Sequence, residues 1–192
     1  MIDFIYGKLV LKNNQSIVLE SSGIGWKIYL SKSSLKKVPR LNDNLRVWVH
    51  IELSKDGRFY AYGFMSEKEK ALFEALNNVA GVGPKTAMSV LDTAPVERLQ
   101  AAIASGNEAL LMKVSGIGAK TAQRIILELK NKFQQDRLRE ATIAADVDAE
   151  NALVSLGYSR REAKEALLRV ADSIDSAEER LKEALKILAK RA

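Results

Sequence analysis

The sequence contains no cysteine and a single histidine, His50. Disulfides, thiol nucleophiles, cysteine-based zinc sites and iron–sulfur clusters are therefore excluded. His50 stands alone in an apolar-alternating run, with no serine nucleophile or second ligand recognisable beside it, and reads as a packing or surface histidine. No metal and no cofactor is expected. Long apolar runs are also missing. None approaches the ~18 residues of a membrane span, and Met1-Ile2-Asp3-Phe4 lacks the basic region and apolar segment of a secretory signal. The expectation is a cytoplasmic chain without a membrane partner.

Acidic residues are in deficit, 24 Asp and Glu against 30 Lys and Arg, for a net charge of +6. Residues 1–64 hold 10 basic against 5 acidic side chains, residues 65–134 hold 9 against 7, and residues 135–192 hold 11 against 12. The basic excess of the first two-thirds suits a polyanion. The balanced tail suits a different partner.

One nine-residue stretch occurs twice, thirty-five residues apart: Val79-Ala80-Gly81-Val82-Gly83-Pro84-Lys85-Thr86-Ala87 and Val114-Ser115-Gly116-Ile117-Gly118-Ala119-Lys120-Thr121-Ala122. Each places an apolar residue between two glycines, then a Lys two places on, then a Thr-Ala pair that opens a helical run. Glycines permit positive φ and close approach. The first N–H groups of the following helix have no intrahelical partner and sit at its positive dipole end. The expected ligand is a phosphate, held by backbone amides, Lys85 or Lys120, and the hydroxyl of Thr86 or Thr121. Such a grip reads nucleic-acid backbone and no base edge. A tight helix connection is the bland alternative, weakened by the matched repeat. A P-loop is excluded, because Pro84 and Ala119 stand where it needs Gly directly before Lys, and no strand precedes.

Residues 1–64 read as five short strands: Phe4–Leu11, Ile17–Leu19, Trp26–Leu30, Leu45–Leu53 and Arg58–Phe64. Turn residues separate them, including Ser54-Lys55-Asp56-Gly57 in a long hairpin. An open sheet of this size would expose its edges, so a small OB-like barrel is expected. Trp26, Trp48, Phe59, Tyr60 and Tyr62 read first as core, with an OB ligand face as the alternative. Residues 65–134 read as helices Ser66–Asn78, Pro84–Leu91, Val96–Ala104, Glu108–Lys113 and Ala119–Phe133, the first with a capping box at Ser66 and Glu69. Residues 135–148 read as a flexible linker, parts of which could extend the preceding helix. Residues 149–192 read as a three-helix bundle over Glu150–Leu156, Arg160–Val170 and Ala177–Lys190, with capping boxes at Ser159 and Ser176 and a stop at Gly157.

A five-strand barrel ending in Ala61-Tyr62-Gly63-Phe64, two Gly-x-Gly turns between helices, and a three-helix tail with Leu156-Gly157-Tyr158 resemble the RuvA family over essentially all 192 residues. These are Holliday junction-binding subunits of bacterial branch-migration complexes. The resemblance implies a non-catalytic subunit that binds a four-way DNA junction in recombination, DNA repair and the SOS response. It implies a homotetramer built through the barrel, and leaves open whether a second tetramer completes an octamer. Residues 149–192 would dock the hexameric RuvB ATPase through Leu156, Tyr158 and Leu167, and the RuvC resolvase is a further partner. Gly81, Val82, Gly83, Lys85 and Thr86, with Gly116, Ile117, Gly118, Lys120, Thr121 and Arg124, fall on the phosphate-binding positions. Ala119 replaces a Lys that many members carry, an expected loss of one contact per protomer. The family's acidic pin, two adjacent acids on the hairpin, has only Asp56 here, with Glu52 as a second candidate. Two rivals remain: a helix–hairpin–helix glycosylase or nuclease, for which Glu128 is the only acid within reach after the second turn and no carboxylate cluster stands near either, and a generic DNA-binding adaptor.

Overall fold

The computed structural model describes residues 2–54, 57–171 and 173–189. The chain forms two compact units, Met1–Asn131 and Lys132–Ala192.

The first unit begins with strands β1 (Phe4–Lys12), β2 (Ser16–Ser21), β3 (Ile24–Leu30), β4 (Asn44–Leu53) and β5 (Phe59–Phe64). They close in the order β1-β2-β3-β5-β4, with β4 returning to β1 and β3 running parallel to β5. This is the expected OB-like barrel. Closure leaves no free edge. Inward positions are largely branched aliphatics, Ile5, Leu9, Ile17, Leu19, Ile28, Val47 and Val49 among them, which fill a narrow interior at period two.

Gly7 also points inward, and a Cβ built there would fall on the backbone carbonyl oxygen of Glu20 on the paired strand. Backbone cannot swing aside as a side chain can. Gly7→Ala should therefore cost about 1–3 kcal/mol as an overpacking change. It is read as a lower urea midpoint at unchanged slope.

The aromatic residues correct the expectation of a core role. Phe59 is 75% exposed, and Trp48 meets Phe4 edge-on at 5.7 Å on the outer surface. Trp26 is the exception, packing partly buried against the barrel core as expected. The reason is register for Trp48, Tyr60 and Tyr62, which alternate with the barrel-filling Val47, Val49, Ile51, Ala61 and Gly63, whereas Phe59 shares the face of Ala61 and Gly63 but pairs with the exposed Leu53 at the strand ends, beyond the filled interior.

A short helix, α1 (Lys32–Lys37), lies between β3 and β4 where the sequence pattern suggested none. Ser31 caps it by accepting from the Ser34 amide. Its Ser34 Oγ donates to Glu69 at 2.6 Å, and the Ser33 amide donates to Asp92 at 3.1 Å. It thus ties the barrel to helices α2 (Glu67–Asn77) and α3 (Pro84–Leu91). α4 (Val96–Ser105) and α5 (Glu108–Leu111) follow.

At the start of α2 the capping box is half made. Ser66 accepts from the Glu69 amide, but the Glu69 carboxylate takes the Met65 amide and the Ser34 hydroxyl. Being buried, it satisfies both oxygens across elements and does not reach back to Ser66. Phe73 of α2 seats against Phe64 at 4.9 Å, Tyr62 at 5.4 Å and His50 at 5.3 Å. His50 also pairs with Glu74 at 3.1 Å, so the lone histidine is a packing residue between β4 and α2.

α6 runs from Ala119 to Ser155, so residues 135–148 are helical and the expected first tail helix is the end of α6. Their low apolar content suggested a linker, but no Gly or Pro occurs from Ala119 to Leu156, and Ala, Glu, Arg and Leu are good helix formers. Gly157, at φ 100°, supplies the first stop. In the second unit α7 (Arg160–Leu167) opens on a complete capping box at Ser159 and Glu162, whose hydroxyl and amide bonds hold the Glu162 carboxyl below its usual range. α7, α8 (Ala177–Ala189) and the end of α6 share a core of Ala149, Leu153, Ala163, Ala166, Leu167, Val170, Ala184 and Leu188.

Candidate nucleic-acid interface

The two glycine turns are the same structure built twice. In the first, Val79 N–H donates to Leu76 O at 3.0 Å, Val82 N–H to Val79 O at 2.9 Å and Ala87 N–H to Gly83 O at 2.9 Å. In the second, Val114 N–H donates to Leu111 O at 3.0 Å, Ile117 N–H to Val114 O at 3.0 Å and Ala122 N–H to Gly118 O at 2.9 Å. Every bond has its partner thirty-five residues on. Gly81 and Gly116 hold φ of 92° and 90°, a region closed to most side chains.

The second glycine of each pair plays a different part. Gly83 caps α3 in extended conformation, and a Cβ at Gly83 or Gly118 would meet nothing within 4 Å. Neither strain nor packing demands glycine there. Without a side chain, the backbone there stays exposed and uncovered.

Val82 and Ile117 need correction as phosphate contacts. Their side chains are buried and their N–H groups are spent on Val79 and Val114. They staple the turn from inside, as an apolar residue between two glycines should. The donors that remain are the amides of Gly81 and Gly83, with Lys85 and Thr86 in the first helical turn, and their counterparts Gly116, Gly118, Lys120 and Thr121. Pro84 offers no N–H, whereas Ala119 does, so the second turn gains an amide where it lacks the lysine. Lys85 and Lys120 are exposed and make no ion pair among the described residues. Two helix N-termini with free amides and a cation each are suited to anions.

Arg124 has a second task that its position did not reveal. Its guanidinium donates to Ala80 O at 3.0 Å, strapping the second motif's helix to the first motif's turn. The rest of its N–H fork is open to a phosphate. The matching residue of the first motif is Ser89, whose hydroxyl is turned back on Lys85 O at 3.0 Å.

Of the two acids proposed as a pin, Asp56 lies outside the described residues. Glu52 does not project. It is half-buried on β4 opposite Tyr60 and lines a recess beside the Gly83–Thr86 turn. Burial, and then the Glu52 carboxylate, push the Tyr62 phenol above its usual range.

In the second unit Leu156 is 61% exposed and Tyr158 packs half-buried against the core. Leu167, expected at a docking surface, is only 5% exposed and belongs to that core. Helical spacing from Ala163 and Val170 turns it inward, and it is Leu168, 86% exposed, that reaches solvent. The same spacing was available in the sequence.

Comparison with known proteins bears on the whole chain. Residues 1–63 match the RuvA N terminal domain, residues 73–131 a SAM-like helix-hairpin-helix tandem, and residues 147–189 the RuvA C-terminal domain. A Holliday junction branch migration complex subunit RuvA of Clostridium beijerinckii is 37% identical, over 98% of this chain and 99% of the relative. One of Clostridium botulinum strain Hall is 38% identical, over 99% of this chain and all of the relative.

The chain belongs to the RuvA family. Its barrel carries the RuvA N-terminal domain and its tandem turns are helix–hairpin–helix motifs. The stretch matched to the RuvA C-terminal domain opens inside α6, at residue 147, close to where Ala149 enters the tail's core. Among the described residues no His, Asp and Glu gather in a group able to hold a metal ion, and no helix is long and apolar enough to cross a membrane. Glu128 is exposed on α6.

Proposed function

We propose that this chain is the non-catalytic DNA-binding subunit of a branch-migration machine, holding a four-way junction open and positioning a RuvB ATPase motor on it. The observation that carries this reading is the bond-for-bond equivalence of the two hairpins. Two equivalent backbone grips strapped together by Arg124 hold the phosphates of one arm without reading its sequence. A junction of arbitrary sequence needs that. A fourfold ring of such protomers presents the grip to four arms. The outward face of β1 supports self-assembly, since Phe4, Tyr6 and Val10 alternate there exposed. The tail, with no basic excess and with Leu156 and Leu168 exposed, suits a protein partner, the motor.

The test is a titration of the full chain against a synthetic four-way junction and a duplex of the same arm sequence, with Mg²⁺ at ~0.15 M salt. The junction should be preferred by about a hundredfold, or roughly 2.7 kcal/mol. Equal affinity would mean that the hairpins grip DNA without a fourfold clamp, as an adaptor would. Strand cleavage in the same mixture would restore the enzyme reading.

A further inference from the structure

Alternate residues on the outward face of three barrel strands line up beside the first hairpin. Glu52 of β4 pairs with Tyr60 of β5, His50 with Tyr62, and Tyr62 in turn with Tyr29 of β3. Phe73 of α2 covers the His50 and Tyr62 end of this band. The other end is open. Tyr29 lies 5.8 Å from Tyr60 and 6.4 Å from Tyr62, and Tyr60 and Tyr62 stack at 6.4 Å with 21° between their planes. Facing these rings are Lys85 and the Gly83–Thr86 turn, across a recess of about 510 Å³. A neighbouring recess shares Tyr60, Tyr62 and Lys85 and extends the opening to Tyr29.

One atom in this recess is unprovided for. Oε2 of Glu52 is buried, and among the described residues no donor reaches it. A buried acceptor left unpaired is costly. Lys85 lines the same recess but forms no ion pair with it. Half-buried rings, an orphaned carboxylate oxygen and a phosphate grip on the opposite wall together match the three parts of a nucleotide.

We propose that this recess receives one unpaired DNA base, laid against the Tyr29, Tyr60 and Tyr62 cluster with an amino group donating to Glu52, while the adjoining phosphate rests on the Gly83–Thr86 turn and Lys85. The proposal rests on the phosphate-binding reading of the first hairpin. Stacking on tyrosine tolerates every base. The carboxylate does not: it accepts well from the exocyclic amino groups of cytosine, adenine or guanine, whereas thymine has only its ring N3–H to donate, flanked by two carbonyl oxygens that repel the carboxylate. The subsite therefore favours amino-bearing bases over thymine. It gives a strand displaced from pairing at an opened crossover a place to lodge.

The experiment is fluorescence anisotropy of the full chain with labelled (dC)15 and (dT)15 at pH 7.5, and separately with an intact four-way junction. Wild type should bind (dC)15 roughly tenfold more tightly, the scale of one hydrogen bond to a charged group. Glu52→Gln, nearly isosteric and able to donate to thymine, should erase the preference. Tyr60→Leu should weaken both strands by roughly tenfold while the ratio between them persists. Equal wild-type affinities, a preference that survives Glu52→Gln, or undiminished binding by Tyr60→Leu overturns the proposal. Junction binding reports on the wider function alone: if it is absent while the (dC)15 preference is present, the junction reading fails and the base subsite stands.

Discussion

Arg180→Ala is expected to lower the melting transition of the second unit by roughly 15 °C, taking ~4–8 °C per kcal/mol for a domain of this size, and to leave that of the first unit in place. Arg180 is the largest fully enclosed side chain among the described residues, at 2% exposure. A cation so near the start of α8 opposes the helix dipole, so it must be held by acceptors. Its Nε donates to Asp146 at 2.6 Å, and one terminal nitrogen donates to the carbonyls of Ile174 at 2.7 Å and Ala171 at 3.2 Å. The guanidinium thereby ties α8 to α6 and to the turn that follows α7. Truncation strands two carbonyls and leaves a cavity. Breaking a buried pair costs about 3–5 kcal/mol, and the value here falls near the lower end because Asp146 is 37% exposed and can rehydrate. That remains most of what a unit this small can hold, on the order of 5 kcal/mol. Arg180→Lys should not rescue it, since one ammonium cannot reproduce the planar fork. Calorimetry of the full chain resolves the point, and a tail transition within a few degrees of wild type would refute the role.

What the sequence made legible follows from how local each signal is. The five strands were readable because their period-two alternation and turn residues are local, and closure followed from the edge problem. The helices flanking both hairpins were readable from capping residues and from the repeat itself. α1 was not, because Lys32–Lys37 is nearly all Ser and Lys with one buried apolar residue, Leu35. Its helix is stabilised by Ser33 and Ser34 bonding to residues more than thirty positions away. The outward aromatics were misjudged for a related reason. Alternation says that two faces differ, but it does not say which face a tyrosine takes when a second layer covers part of the outside. Arg124 and Glu52 carry the same lesson at the site. Their residue types suggested a phosphate contact and an acidic pin, but the partner carbonyl of Ala80 and the recess beside Gly83 exist only once the hairpins and barrel are assembled.

Replacing both Lys85 and Lys120 by Glu should weaken four-way junction binding by at least ~100-fold at physiological salt, since Lys–phosphate contacts dominate such affinities. The effect should be the same for arms of any sequence, because neither lysine is placed to read a base. Folding should survive, as both side chains are exposed and unpaired among the described residues, and the turns beneath them are held by Val79, Val82, Val114 and Ile117. Unchanged thermal transitions with lost binding would therefore locate the defect at the interface. The neutral pair, Lys85→Gln with Lys120→Gln, measures something more. Each phosphate contact removed lowers the slope of log affinity against log salt by about 0.9. A single protomer on the DNA would lose roughly 1.8 from the slope, and four protomers, with eight contacts, roughly 7. The change in slope thus counts the hairpins engaged at once. A value near the higher figure supports a fourfold clamp, a value near the lower one supports independent protomers, and no change in either affinity or slope would remove the lysines from the phosphate grip altogether.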